Sequence, residues 1–157
     1  MTEKKREPRN RTLTLSSADR KRCSRRLRRI DASVSLDDLL DSTVCQNVFS
    51  VLPLLPSAVF DLIVADPPYN LTKSFNGNQF KRTDLEGYEA WLGSWLPEMR
   101  RLLKPSGSIY VCGDWRSSSA IHRVLLGHFR IRNRISWERE KGRGAQVNWK
   151  NSTEDIW

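Results

Sequence analysis

The feature that most constrains this chain is the apolar run Val59-Phe60-Asp61-Leu62-Ile63-Val64-Ala65, which ends in Asp66-Pro67-Pro68-Tyr69-Asn70. A short run of this kind, bounded by turn residues, predicts a strand buried on both faces. Further on, Tyr88, Trp91, Leu92, Trp95, Leu96, Met99, Leu102 and Leu103 recur at helical spacing. Pro97 must kink that helix or start a second segment, because it cannot donate the interior hydrogen bond. Lys104-Pro105-Ser106-Gly107 reads as a turn, Ser108 to Cys112 as a second buried strand, and Ser117 to Leu126 as a helix stopped by Gly127. Phe129, Ile131, Asn133, Ile135 and Trp137 then alternate with Arg130, Arg132, Arg134 and Ser136, the pattern of a strand with one packed and one basic face. Earlier, Thr43-Val44-Cys45 suits a short strand and Asn47 to Leu52 a helix ended by Pro53 and Pro56. Residues 71 to 84 are polar and read as a long mobile loop. Strands alternating with helices predict an α/β sheet with helical crossovers.

In open α/β sheets ligands bind beyond the carboxyl ends of the strands, which is where Asp66-Pro67-Pro68-Tyr69 stands. Each proline restricts the residue before it to extended conformations and brings no N–H of its own. The loop therefore presents the Asp66 carboxylate and the Pro67 carbonyl as rigid acceptors, with the Tyr69 ring beside them. Two acceptors and one ring suit the exocyclic amino group of a nucleobase: its two N–H bonds reach the acceptors while the base stacks on Tyr69. Such holding turns the nitrogen lone pair toward an electrophile, and no covalent enzyme nucleophile is required. A base within a duplex reaches the loop only when flipped out.

Charge is unevenly placed. Residues 1–30 hold twelve Lys and Arg against three acids, which accounts for the whole net charge of +9. A basic, disordered arm over residues 1–31 is expected ahead of a near-neutral catalytic portion, 32–157. The stretch from Ser17 to Ile30 has the makings of a helix capped by Ser16 or Ser17. Such an arm is either a polyanion contact, through counterion release, or a solvated tail. No apolar run is long enough to span a membrane, and no secretory signal follows the basic start. Three scattered cysteines and two histidines form no metal-ligand spacing, which fits a reducing, cytoplasmic setting without a metal.

These segments, from about Thr43 to Trp157, resemble the N6-adenine and N4-cytosine DNA methyltransferases, whose signature loop is (D/N/S)PP(Y/F/W). The order looks like the beta-type arrangement, with catalytic motifs ahead of the cofactor-binding ones. It is carried by Phe60 to Asn70, the helix ending Leu102-Leu103-Lys104-Pro105, the strand Gly107 to Val111, Ile135-Ser136-Trp137, and Trp149 to Ile156. The resemblance implies a partial doubly wound, Rossmann-like sheet and S-adenosylmethionine as methyl donor. It implies DNA as partner and adenine N6 as target for the DPPY form, with Asp66, Pro67, Pro68 and Tyr69 catalytic. Asn47 and Asp66 would face the cofactor, although Asn47 stands where relatives carry an acid. The glycine motif Phe-x-Gly-x-Gly that holds the methionine part of the cofactor is missing before Trp157. The chain therefore reads as an N-terminal catalytic half, completed by a C-terminal half or a second chain.

Other readings stay open. Trp137 either stacks on the second face of a flipped base or simply closes the packed face of its strand. Arg130, Arg132, Arg134, Lys141 and Arg143 are candidate nucleic-acid contacts, although Lys141-Gly142-Arg143-Gly144 reads equally as a mobile loop. Trp91 and Trp95 belong on a core-facing stripe, His122 and His128 read as structural, Cys112 as a small core residue, and Asp114 as a residue lining the site. Alternatives to adenine methylation are an N4-cytosine, RNA or protein-glutamine methyltransferase, and a non-catalytic nucleic-acid-binding remnant.

Overall fold

The computed structural model describes residues 15–75, 78–143 and 151–157. Helix α1 (Ser17–Ser24) starts at a reciprocal cap in which the Ser16 hydroxyl accepts from the Asp19 N–H and the Asp19 carboxylate accepts from the Ser16 backbone. Strand β1 (Leu27–Arg28) runs parallel to β2 (Thr43–Val44), and Ile30 is buried with its backbone bonded to the Gln46 side chain. The disorder expected over 1–31 thus does not hold from Ser17 onward: a capped helix, a strand and a buried isoleucine tie the later part of the arm down. Residues 1–14 lie outside the described residues.

Helix α2 (Val48–Val51) continues into a 3-10 turn, Leu52–Leu54, and leads to β3 (Phe60–Ala65). Residues 71–84, read as loop, carry a small antiparallel pair, β4 (Lys73–Phe75) and β5 (Asn78–Phe80). The long helical stripe is split as Pro97 requires: α3 (Leu85–Gly93) ends, and α4 (Leu96–Leu102) starts with the proline in its first turn, where the missing N–H costs nothing. Strand β6 (Leu103–Gly113), helix α5 (Ser118–Leu126), β7 (Ile135–Arg143) and β8 (Asn151–Ile156) complete the chain.

The main sheet has the order β3-β6-β8-β7. Strands β3 and β6 are parallel, joined through α3 and α4, whereas β8 is antiparallel to both of its neighbours. The expected turn at Lys104–Gly107 survives inside β6 as a bulge. Pairing steps from Phe60↔Leu103 to Leu62↔Ser108, so residues 104–107 stand against Asp61 alone. Gly107 is needed there, because a Cβ would lie 2.9 Å from the Phe60 carbonyl oxygen. The strand expected from Phe129 begins only at Ile135. Ile131 is half-buried between the exposed Arg130 and Arg132, but Asn133, Ile135 and Trp137 are exposed, so the packed face expected of this stretch ends at Ile131, and residues 130–134 carry no ladder.

The core gathers Leu52, Tyr88, Leu92, Trp95, Leu96, Met99, Leu102, Val111, Ala120, Ile121 and Leu125, with Ile63, Ala65 and Ile109 packed against it. The helices α3, α4 and α5 therefore cover one face of β3 and β6. On the other face Leu62 is 54% and Val64 65% exposed. This corrects the expectation of a strand buried on both faces: the second layer of a doubly wound sheet is absent among the described residues, so the fold is a partial α/β sheet.

Candidate active site

The loop Asp66–Asn70 leaves the carboxyl end of β3 beside the end of β6, since Ala65 pairs with Val111 and Cys112 follows. Three contacts hold it. The hydroxyl of Tyr88, which is fully buried on α3, donates to the Pro68 carbonyl oxygen at 3.0 Å. Buried Asn70 is bonded to Thr83 three times, its Oδ1 accepting the Thr83 N–H at 2.9 Å and the Thr83 hydroxyl at 3.4 Å, and its Nδ2 donating to the Thr83 carbonyl at 2.9 Å. Thr83 precedes Asp84, the cap of α3, so loop and helix start are locked together. The Tyr69 hydroxyl donates to Glu154 Oε2 of β8 at 3.2 Å, and Glu154 Oε1 accepts from Arg139 of β7 at 2.9 Å. Asp66 itself is exposed at the mouth.

The electrostatics follow from this crowding. Burial, with the carboxylates of Asp66 and Glu154, pushes the Tyr69 phenol well above the ordinary tyrosine range, so it remains a neutral donor. The Cys112 thiol is pushed up by burial and then by the same two carboxylates. Cys112 is only half-buried and faces the site, which corrects its reading as a core residue. Asp114 accepts the N–H of Ser117 at 2.9 Å and is also bonded by the Ser117 hydroxyl, so it holds the start of α5.

Along the side of β3 away from β6 lies a mostly apolar pocket of about 340 Å³, walled by Val48, Phe49, Ile63, Trp91 and Trp95 and bounded by Asp66 to Pro68. The Trp95 indole Nε1 is buried and has no partner among the described residues. Trp91 and Trp95 thus belong to the core, as their spacing predicts, and also form the pocket's wall.

The structure brings some sequence candidates together and separates others. Asp66, Pro67, Pro68 and Tyr69 form one rigid corner. Trp137 is the cross-strand partner of Glu154, so both side chains stand on the same face of the sheet, on the side that Tyr69 reaches; Trp137 is 60% exposed. Asn47 caps α2, its Oδ1 accepting the Phe49 N–H at 3.0 Å, while the next two residues line the pocket. Arg130, Arg132 and Arg134 are elsewhere. They line an open hollow of about 1260 Å³ that runs along β6 from Lys104 to Tyr110 and includes Ile156 and Trp157, of which Ile156 pairs with Cys112. Arg134 is also bound, its Nε donating at 2.9 Å to Asp155, which is 2% exposed. The side chains of Lys141 and Arg143 lie outside the described residues. Sequence reasoning missed Tyr88, Thr83, Arg139 and Glu154. Tyr88 was concealed by its place in the helical stripe, and Arg139 and Glu154 matter only through a long-range strand pairing.

Comparison with known proteins follows the same segments. Residues 60–157 match a family described as DNA methylase, which joins N6 and N4 methyltransferases. The chain is 32% identical over 116 residues to the type II methyltransferase M.HpaI of Haemophilus parainfluenzae, covering 72% of this chain and 36% of that protein. It is 29% identical over 119 residues to M.HinfI of Haemophilus influenzae, covering 67% and 33%, and 35% identical over 121 residues to M.BglII of Bacillus subtilis, covering 70% and 32%. The chain thus spans about a third of the length of these curated relatives. Among solved structures, the cytosine-N4-specific PvuII DNA methyltransferase shares the fold, with a TM-score of 0.58 at 19% identity over 74% of this chain and 47% of that one. With the match covering most of the chain, including the loop at Asp66 and the strands around it, this protein belongs to the N6/N4 DNA methyltransferase family.

Proposed function

We propose that this chain is the base-holding portion of an S-adenosylmethionine-dependent DNA methyltransferase that modifies the exocyclic N6 of adenine. The observation that carries the reading is the braced corner at the end of β3. There the Tyr88 hydroxyl engages the Pro68 carbonyl and leaves the Asp66 carboxylate and the Pro67 carbonyl for a ligand. A flipped base would lay its ring on Tyr69, with Trp137 opposite, and point its two amino hydrogens at Asp66 and Pro67. That geometry holds the nitrogen lone pair out of conjugation with the ring and aims it along one line.

The residues present fit part of the cofactor. The pocket beside Asp66 offers Phe49, Trp91 and Trp95 as flat or apolar walls and the Asp66 carboxylate at its rim. The cofactor supplies a methyl group on a sulfonium, which is electrophilic without further activation. The chain's own part is to orient the amine and exclude water. The open flank of β3, with Leu62 and Val64 exposed, supports a reading in which a further polypeptide covers the sheet and completes the pocket.

The test is methyl transfer from labelled S-adenosylmethionine to unmethylated phage DNA, read by nucleoside mass spectrometry, with the chain alone and with a polypeptide supplying the remaining family segments. N6-methyladenine in either reaction supports the proposal. N4-methylcytosine would reassign the target base, and no methylated nucleoside from a folded, complemented protein would overturn the reading.

A further inference from the structure

The contacts of Glu154 go beyond bracing a loop. Both of its oxygens are engaged: Oε2 accepts the Tyr69 hydroxyl at 3.2 Å and Oε1 accepts Arg139 NH1 at 2.9 Å. Arg139 is itself held, with NH2 donating to the carbonyls of Asn151 and Thr153 at 3.3 and 3.4 Å. Glu154 is half-buried and stands directly across the strand pair from Trp137. One carboxylate therefore lies between two aromatic residues on this face of the sheet: it is bonded to Tyr69 and is the strand neighbour of Trp137. A stacking ring needs no hydroxyl, so the Tyr69 hydroxyl serves a different purpose, and its partner shows which.

We propose that Glu154, clamped by Arg139, is a positioning residue that sets the gap between Tyr69 and Trp137 and thereby the plane in which a target base meets Asp66. The proposal rests on the amino-methyltransferase reading given above. Glu154 is not a base in the reaction, since its oxygens already accept from a phenol and a guanidinium. Its effect is geometric, through a chain Arg139–Glu154–Tyr69 that couples the β7–β8 pair to the catalytic loop. A displacement of about 1 Å in such an arrangement can cost about a hundredfold in rate.

The alternative is that Glu154 and Arg139 merely staple β7 to β8. Two variants separate the two roles. Tyr69→Phe keeps the ring and the Glu154–Arg139 ion pair but removes the tether. Glu154→Gln keeps an acceptor for the phenol and loses the charge that holds Arg139. In the complemented enzyme, positioning predicts that Tyr69→Phe and Glu154→Ala each lower kcat by about tenfold or more with little change in KM for the cofactor, while Glu154→Gln recovers part of the loss. In the Tyr69→Phe background, Glu154→Ala should add little further loss of kcat. Full additivity, or an unchanged kcat in Tyr69→Phe, would overturn the proposal in favour of the staple.

A second measurement does not depend on turnover. In the full chain labelled with ¹³C-tyrosine, the Tyr69 Cζ resonance, assigned by its loss in Tyr69→Phe, should shift in Glu154→Ala and gain ring mobility, with the Tyr88 and Tyr110 resonances unmoved. An unmoved Tyr69 resonance would overturn the tether even in an active enzyme. A moved resonance in a protein that methylates no nucleic acid would uphold the tether and instead remove the methyltransferase reading on which its purpose rests.

Discussion

Tyr88→Phe isolates the brace beneath the Asp66–Asn70 loop. The ring should stay where it is, because it stacks on Trp91 at 5.5 Å with 21° between planes and meets the Phe80 ring edge-on at 6.5 Å. Only the hydroxyl is removed, and with it the 3.0 Å bond to the Pro68 carbonyl. A net hydrogen bond contributes about 0.5–1.5 kcal/mol, and an acceptor left dry costs about 1–3 kcal/mol, so a loss of about 1–2 kcal/mol is expected at this buried position. For a chain of this length that corresponds to a Tm lower by about 2–8 °C. Urea and thermal unfolding of the purified chain read the stability directly. In a complemented enzyme the same variant should lower kcat more than it raises either KM, since the loop would still bind but hold the amine less firmly. An unchanged urea midpoint together with an unchanged kcat would refute the argument, because the bond would then be neither a stability contact nor a brace.

Asp66→Ala should abolish methyl transfer while DNA affinity, measured by gel shift, stays nearly constant; retained turnover would remove Asp66 from its role. Asn70→Ala deletes the bonds of a buried side chain to Thr83 and should destabilise by about 0.5–1.5 kcal/mol in urea titration, because the backbone groups freed on exposed Thr83 can turn to water. Alkaline titration carries a sign that can be worked out. Burial raises the Tyr69 and Tyr88 phenols above their ordinary value of 10.0, so the folded chain keeps protons that the unfolded chain releases. Their contribution is fully present below pH 10 and is lost as pH rises beyond it; Tyr69→Phe or Tyr88→Phe should make that alkaline limb shallower by circular dichroism. Removing residues 1–14 takes away five Lys and Arg, and the log–log salt dependence of DNA binding should flatten by about 0.9 for each phosphate that those side chains neutralise. An unchanged slope would assign that segment to a solvated tail.

Local signals were legible wherever one residue type dictates backbone geometry. Pro97 divides the α3–α4 stripe, Pro67 and Pro68 end β3, and Ser16 and Gly127 bound the helices read from the sequence. What the sequence concealed depends on pairing between distant strands. The position of β8 between β6 and β7, antiparallel to both, leaves no trace in periodicity, because a strand's alternation is the same in either direction. The same blindness applied to Leu62 and Val64. An apolar run announces that a strand should be covered on both faces, but it does not say by which segment. The basic stripe Arg130, Arg132, Arg134 shows the opposite failure. Arg130 and Arg132 flank a half-buried Ile131 as the pattern predicts, but Asn133, Ile135 and Trp137 are exposed and Arg134 is bound to a nearly buried aspartate.

The two flanks of the loop are built to different degrees, and this bears on how the site would be assembled. On the side proposed to hold the base, three loop residues are fixed by internal contacts, Asn70 by Thr83, Pro68 by Tyr88 and Tyr69 by Glu154, while Asp66 and Trp137 stand exposed. On the side proposed for the cofactor, the pocket is bounded by the edge of β3, with Val64 65% exposed, and by Val48 and Phe49 of α2. Preorganisation lowers a barrier only if the oriented groups do not relax when the site is incomplete. The base-side contacts close on themselves without involving the open flank of β3. A polypeptide docking on that flank would therefore meet a loop already set for an amine, and should change cofactor affinity far more than the geometry at Asp66. A complementing half that reorganised the Tyr69 and Asp66 resonances as strongly as those of Leu62 and Val64 would contradict this order of assembly.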